Sequence, residues 1–229
     1  MGFMTNSLYF GILITILGYF IGDYLRKKLN LSILNPILIG IIFVGVIITL
    51  CKVEYKTYYE GAKYISFLLT PATICLAIPL YEEFEILKHN LKAVILGITA
   101  GVLSSLGSIL AFSYMFMLTH EQYITLLPKS ITTAIGMSLS SELGGIPSLT
   151  VAIIIITGIF GNLIGEYVCK IFKITEPVSV GLAFGTASHA VGTAKALELG
   201  EVEGAMSGLS VAVSGIITVV LANVFAVLL

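Results

Sequence analysis

Apolar runs of roughly 20 residues, each closed off by a charge or a proline, follow one another along almost the whole chain. A helix needs about 20 apolar residues to cross a bilayer. A soluble domain carries about 25% charged residues; here the figure is 11% of 229, with a mean hydropathy of +1.04. That is too little charge to solvate a globular surface. The runs cover residues 8–24, 33–50, 65–80, 93–118, 128–143, 148–172, 178–196 and 205–229. They predict an all-α, polytopic membrane protein of about seven or eight spans. Residues 1–229 read as a single transmembrane domain, because no polar stretch is long enough to form a second one. The first seven residues lack Lys and Arg, so residues 8–20 read as a first span and not as a cleaved signal.

Orientation follows from the basic residues. Arg26-Lys27-Lys28 closes the first run, and positive residues favour the cytoplasmic side. The N-terminus is therefore expected outside, with Lys88 and Lys92 inside. Lys170 and Lys173 also prefer the inside, which requires residues 128–145 to dip in and return; if that segment crosses, the two lysines fall outside.

Three runs are poor lipid-facing helices. Residues 65–81 contain Pro71 and Pro79, and proline removes an amide donor and kinks a helix. Residues 128–145 start at Pro128, carry Lys129, Ser130, Thr132 and Thr133, and end at Gly144-Gly145. Residues 181–195 hold Gly181, Gly185, Ser188, His189, Gly192, Thr193 and Lys195. Irregular backbone at membrane depth is tolerated only where protein or a wet cavity covers it. The prolines and these glycines are accordingly expected to be breaks, with the three segments facing one another. A shift of 57 positions aligns Pro71 with Pro128, Ala77 with Ala134 and Gly101 with Gly158. This suggests a duplicated unit of broken segment plus long span, a pattern found in transporters.

Buried polar residues in a membrane mark substrate or ion paths by default. His189 titrates near neutrality and so suits proton coupling, or else it donates to a backbone carbonyl and holds a broken helix together. Lys129 and Lys195 suit an anionic substrate; the alternatives are snorkelling for Lys129 and an ion pair with Glu198 for Lys195. Ser130, Thr132, Thr133, Ser188 and Thr193 offer hydroxyls beside freed amides, and half-helix N-termini favour a carboxylate. Glu142, Asn162 and Glu166 are expected in the cytoplasmic half.

Other functions fit poorly. A net charge of -1 argues against nucleic acid. Cys51, Cys75 and Cys169 lack the spacing of a metal site, and no cofactor motif occurs. Asp23 is the only aspartate, which excludes a paired-aspartate protease, and no H-E-x-x-H or G-x-S-x-G is present. No enzymatic activity is expected.

The motifs Pro71-Ala-Thr-Ile-Cys-Leu-Ala-Ile-Pro79, Pro128-Lys-Ser-Ile-Thr-Thr-Ala, Gly144-Gly-Ile-Pro147-Ser and Gly185-Thr-Ala-Ser-His189-Ala-Val-Gly192-Thr-Ala-Lys195 resemble the LrgB/CidB family. That family includes the membrane half of the plastidial glycolate/glycerate translocator. Lys195 stands where the family pattern has arginine, and Ala134 where proline is common. The resemblance implies two functions. One is a carrier of short monocarboxylates such as pyruvate, glycolate or glycerate, proton- or cation-linked. The other is an antiholin-like regulator acting with a holin-like membrane partner of LrgA/CidA type on murein hydrolase activity and cell lysis. A bacterial plasma-membrane location and a homo-oligomeric assembly are the accompanying expectations. The residues favour the carrier, since a small anion needs the buried cations and broken helices that a lysis regulator does not.

Overall fold

The computed structural model describes residues 8–29, 36–68 and 84–229, together with Pro71, Cys75, Ile78 and Tyr81. Pro79 and most of the first proline-led segment lie outside the described residues, as does much of the first copy of the proposed repeat. Among the described residues the protein is all-helical. Two compact units divide it, Met1–Cys75 and Leu76–Leu229.

The first unit contains α1 (Leu8–Leu29), α2 (Pro36–Leu50) and α3 (Tyr55–Phe67). Glycines let α1 approach both neighbours closely: Gly18 lies against Gly40, and Gly11 against the Tyr58 carbonyl. The Thr15 hydroxyl meets the Tyr58 hydroxyl at 2.9 Å. Helix α3 fills a stretch between two apolar runs. Its Lys and Glu residues break the hydropathy signal, while Gly61 and Ala62 supply a buried small-residue face.

The second unit holds α4 (Phe84–Met115), α5 (His120–Leu126), α6 (Thr133–Leu143), α7 (Pro147–Ile171), α8 (Pro177–Leu199) and α9 (Glu201–Ala226). Among the described residues, three helices are long and apolar enough to cross a membrane: Lys88–Met115 within α4, α7 and α9. Residues 120–126, expected as loop, form α5 because Thr119 and Gln122 cap its N-terminus reciprocally.

Helix α8 is broken within 181–195, as the sequence reading expects, but its two halves double back and do not form the one run of 178–196. Its backbone leaves helical geometry at Ser188 (φ -135°, ψ 16°) and His189 (φ 43°, ψ -142°), and the chain doubles back there. On α7, Gly165 faces Phe184 and Gly161 faces Ser188, so residues 177–187 (α8a) run antiparallel to α7. Further along the chain, Asn162 donates to the Val191 carbonyl and Glu166 pairs with Lys195, so residues 190–199 (α8b) run parallel to α7. Gly192 packs on the Phe184 carbonyl across the reversal. Gly181, Gly185 and Gly192 are therefore helical and not breaks. They are small because backbone crosses them: a Cβ on Gly181 would sit 2.5 Å from the Glu203 carbonyl oxygen, and one on Gly185 would collide with that of Ser207.

The 119–145 segment is a second hairpin, entering from the opposite end. Helices α5 and α6 are joined by a turn over residues 127–132 that contains Pro128, and Gly136 returns to within contact of the Pro128 carbonyl. Gly144 ends α6 with a left-handed φ of 88°, which glycine adopts without steric cost. The base is stitched to α7. The Thr150 hydroxyl lies 3.0 Å from the Thr125 carbonyl and 2.7 Å from the Ser140 hydroxyl, and the Ile146 amide donates to the Thr125 hydroxyl at 2.9 Å. Glu142 thus sits at the opposite end of the unit from Glu166, so the two carboxylates do not share one half as the sequence suggested.

Candidate functional site

The two hairpin tips meet beside the middle of α7. Ile154 touches Gly136 of the first hairpin, and its carbonyl accepts a hydrogen bond from His189 Nε2 of the second at 3.0 Å. This is a site built from chain reversals, where helix ends leave amides and carbonyls without helical partners.

Lys129 stands at the first tip. Its Nζ donates to Ser130 Oγ at 3.1 Å, and Ser130 Oγ lies 3.1 Å from Ser105 Oγ on α4. Among the described residues it makes no ion pair, whereas Lys88, Lys170 and Lys195 all do. Two cavities share it. One, of about 850 Å³, runs between α4 and α8a from Asn90 and Glu176 to Ser105, Lys129, Ser130 and Thr186. The other, of about 290 Å³, lies on the opposite flank of α8a against α7, where Phe160, Gly161 and Ile164 make it largely apolar. Ser188 reaches this second cavity and is almost fully buried. Small residues open the first cavity: Gly97 faces Leu182, and Gly101 lies under the Thr186 methyl.

The other expected site residues are placed elsewhere. His189 is 4% exposed and its ring is committed to Ile154. A carbonyl only accepts, so Nε2 must carry the proton. The Thr193 hydroxyl lies 3.1 Å from the His189 carbonyl and 2.9 Å from the Ser207 hydroxyl, tying α8b to the tip and to α9. Lys195 sits between Glu166 at 3.4 Å and Glu198 at 3.3 Å, away from both cavities. Thr132 and Thr133 begin α6, with no side-chain cap from Thr132. Of the expected set, Lys129, Ser130 and Ser188 line these two cavities.

A family model for LrgB-like proteins matches residues 15–228, nearly the whole chain. The chain belongs to the LrgB-like family. That family is membrane-associated and linked to transport or to antiholin-like regulation. No solved structure matches the chain.

Two residues that the sequence reading does not assign to the site, Ser105 and Thr186, also line the large cavity. Ser105 continues a four-residue stripe with Gly97 and Gly101 along one face of α4. That spacing was visible but reads equally well as helix packing. Thr186 lies inside the glycine-rich stretch, is 7% exposed, and its Oγ1 has no hydrogen-bond partner among the described residues. Buried hydroxyls are nearly always paired, so an orphan at a cavity wall is a functional signal that only coordinates reveal.

Proposed function

We propose that this LrgB-like protein carries short monocarboxylates of the pyruvate, glycolate or glycerate class across the bacterial plasma membrane. The observation that carries the reading is Lys129: an ammonium with no carboxylate partner among the described residues, donating to Ser130 at a hairpin tip, in the wall of two cavities. A carboxylate bound there supplies the missing counter-charge. The N-terminal ends of α6 and α8b point into the same region and add partial positive charge. Ser130 and Ser105 stand ready for a hydroxyl or keto oxygen. The large cavity reaches Glu176 at the end of the unit that carries Lys88, Lys170 and Lys173. The positive-inside rule makes that end cytoplasmic, so the site opens inward in this conformation. His189, tied to Ile154, acts as the clasp of the reversal, and coupling to a proton or cation falls to groups nearer Lys129.

Uptake of labelled pyruvate and glycolate into proteoliposomes tests the reading. Lys129→Ala should abolish uptake while Lys195→Met retains it; equal uptake by wild type and Lys129→Ala removes the proposal. Control of lysis through a holin-like partner would instead depend on the outer helix faces. Unchanged lysis control in a Lys129→Ala strain, beside lost uptake, would separate the two functions.

A further inference from the structure

Behind Lys129 lies a third, much smaller space of about 10 Å³, enclosed by α4, the 127–132 turn, α8a and α9. It admits about one water-sized sphere. Hydroxyl-bearing side chains come to it from all four elements: Ser105, Ser130, Thr186 and Thr218. Thr186 and Thr218 are 7% and 5% exposed, and the Thr186 hydroxyl has no partner among the described residues. Its methyl rests over Gly101. Two half-helices, α5 and α8a, end beside the space with their carbonyl ends, through Leu127 and Thr186. Carbonyl ends carry partial negative charge and lack helical partners.

We infer that this space is a binding site for a monovalent cation the size of sodium, coordinated by the Ser105, Ser130, Thr186 and Thr218 hydroxyls and by carbonyls of the broken backbone. Unwound carbonyls and half-helix C-terminal ends are suited to such ions. The inference rests on the carboxylate reading of Lys129 and extends it to coupling. Ser130 belongs to both sites: its oxygen accepts from the Lys129 ammonium and has a second lone pair for the ion. With no anion bound, the ammonium repels a cation on the same oxygen. A carboxylate on Lys129 removes that repulsion, so each ligand strengthens the other, and the linkage is reciprocal. Anion and cation then enter and leave together.

The test is equilibrium binding to the purified full chain in detergent, with labelled pyruvate and radioactive sodium as probes. Replacing choline chloride by sodium chloride at constant ionic strength should tighten pyruvate binding by about 10-fold or more. Thr186→Val, which removes an unpaired hydroxyl and so should not weaken the fold, should erase the sodium effect and leave binding in choline unchanged. Thr186→Ser should keep the effect. Equal pyruvate affinity in the two salts, or a sodium effect that survives Thr186→Val, means the space holds water only and overturns the proposal. Sodium retained in a Thr186-dependent manner, with no pyruvate bound in either salt, would keep the cation site and remove the monocarboxylate reading.

Discussion

The two hairpins reverse direction in opposite ways. The first takes six residues, 127–132, to turn, and the second takes two, Ser188 and His189. The short reversal consumes everything near it. His189 adopts a left-handed φ that costs a non-glycine residue about 1–3 kcal/mol. Its ring bonds Ile154, its carbonyl accepts from Thr193, and Ser188 is pressed onto Gly161. The long reversal holds its shape with two weak turn bonds, Lys129 to Leu126 at 3.1 Å and Ile131 to Pro128 at 3.4 Å. Its lysine and serine remain free to face a cavity. Of two polar tips with equally suggestive sequences, the slack one keeps a cation for a ligand, while the tight one offers the smaller cavity Ser188.

The largest expected effect comes from Lys129. Lys129→Ala should remove uptake, and Lys129→Arg should restore part of it by keeping the charge, read in the same liposome assay. Next comes the clasp. His189→Ala should lower the apparent melting temperature in detergent by the equivalent of about 2–4 kcal/mol, since it strands the Ile154 carbonyl and keeps the strained backbone. It should leave the pH dependence of residual uptake unchanged. His189→Gly should fall less, because glycine tolerates the left-handed conformation. A flattened pH profile in either variant would make the tight tip a working part after all. Gly185→Ala should follow, at about 1–3 kcal/mol, by driving a methyl into the Ser207 carbonyl; thermal unfolding measures it. Lys195→Met should matter least, under about 1 kcal/mol, because it deletes partly exposed ion pairs. Loss of uptake in that variant would move the anion site toward the second hairpin.

The apolar runs made the long helices legible: α4, α7 and α9 lie within a few residues of their hydropathy-based bounds apart from the polar start of α4. The reversal in α8 was not legible. Two stacked half-helices have the same composition as one span, and the turn falls on Ser188 and His189, not on the nearby glycines. What forces the doubling is tertiary: Gly158, Gly161 and Gly165 on α7 are the sockets, more than 20 residues upstream. Helix α3 was missed because its apolar face is only a narrow stripe among charged residues. In the site, Lys129 and Ser130 announced themselves as costly residues in an apolar chain. Ser105 did not, and Thr186 stands among the costly residues of 181–195 without a mark of a role, since a hydroxyl inside a span is ordinarily satisfied by its own helix, as Thr99 and Ser138 are here.

Both hairpins return to the end they came from, and α4, α7 and α9 are the helices of residues 84–229 long and apolar enough to cross a membrane. That is an odd number of candidate crossings: Phe84 lies at the same end of the unit as Lys170, and Leu229 at the opposite end. A reporter enzyme joined after Leu229 should therefore light up on the side where no lysine of the segment resides, and an impermeant amine label should find its targets only on the other.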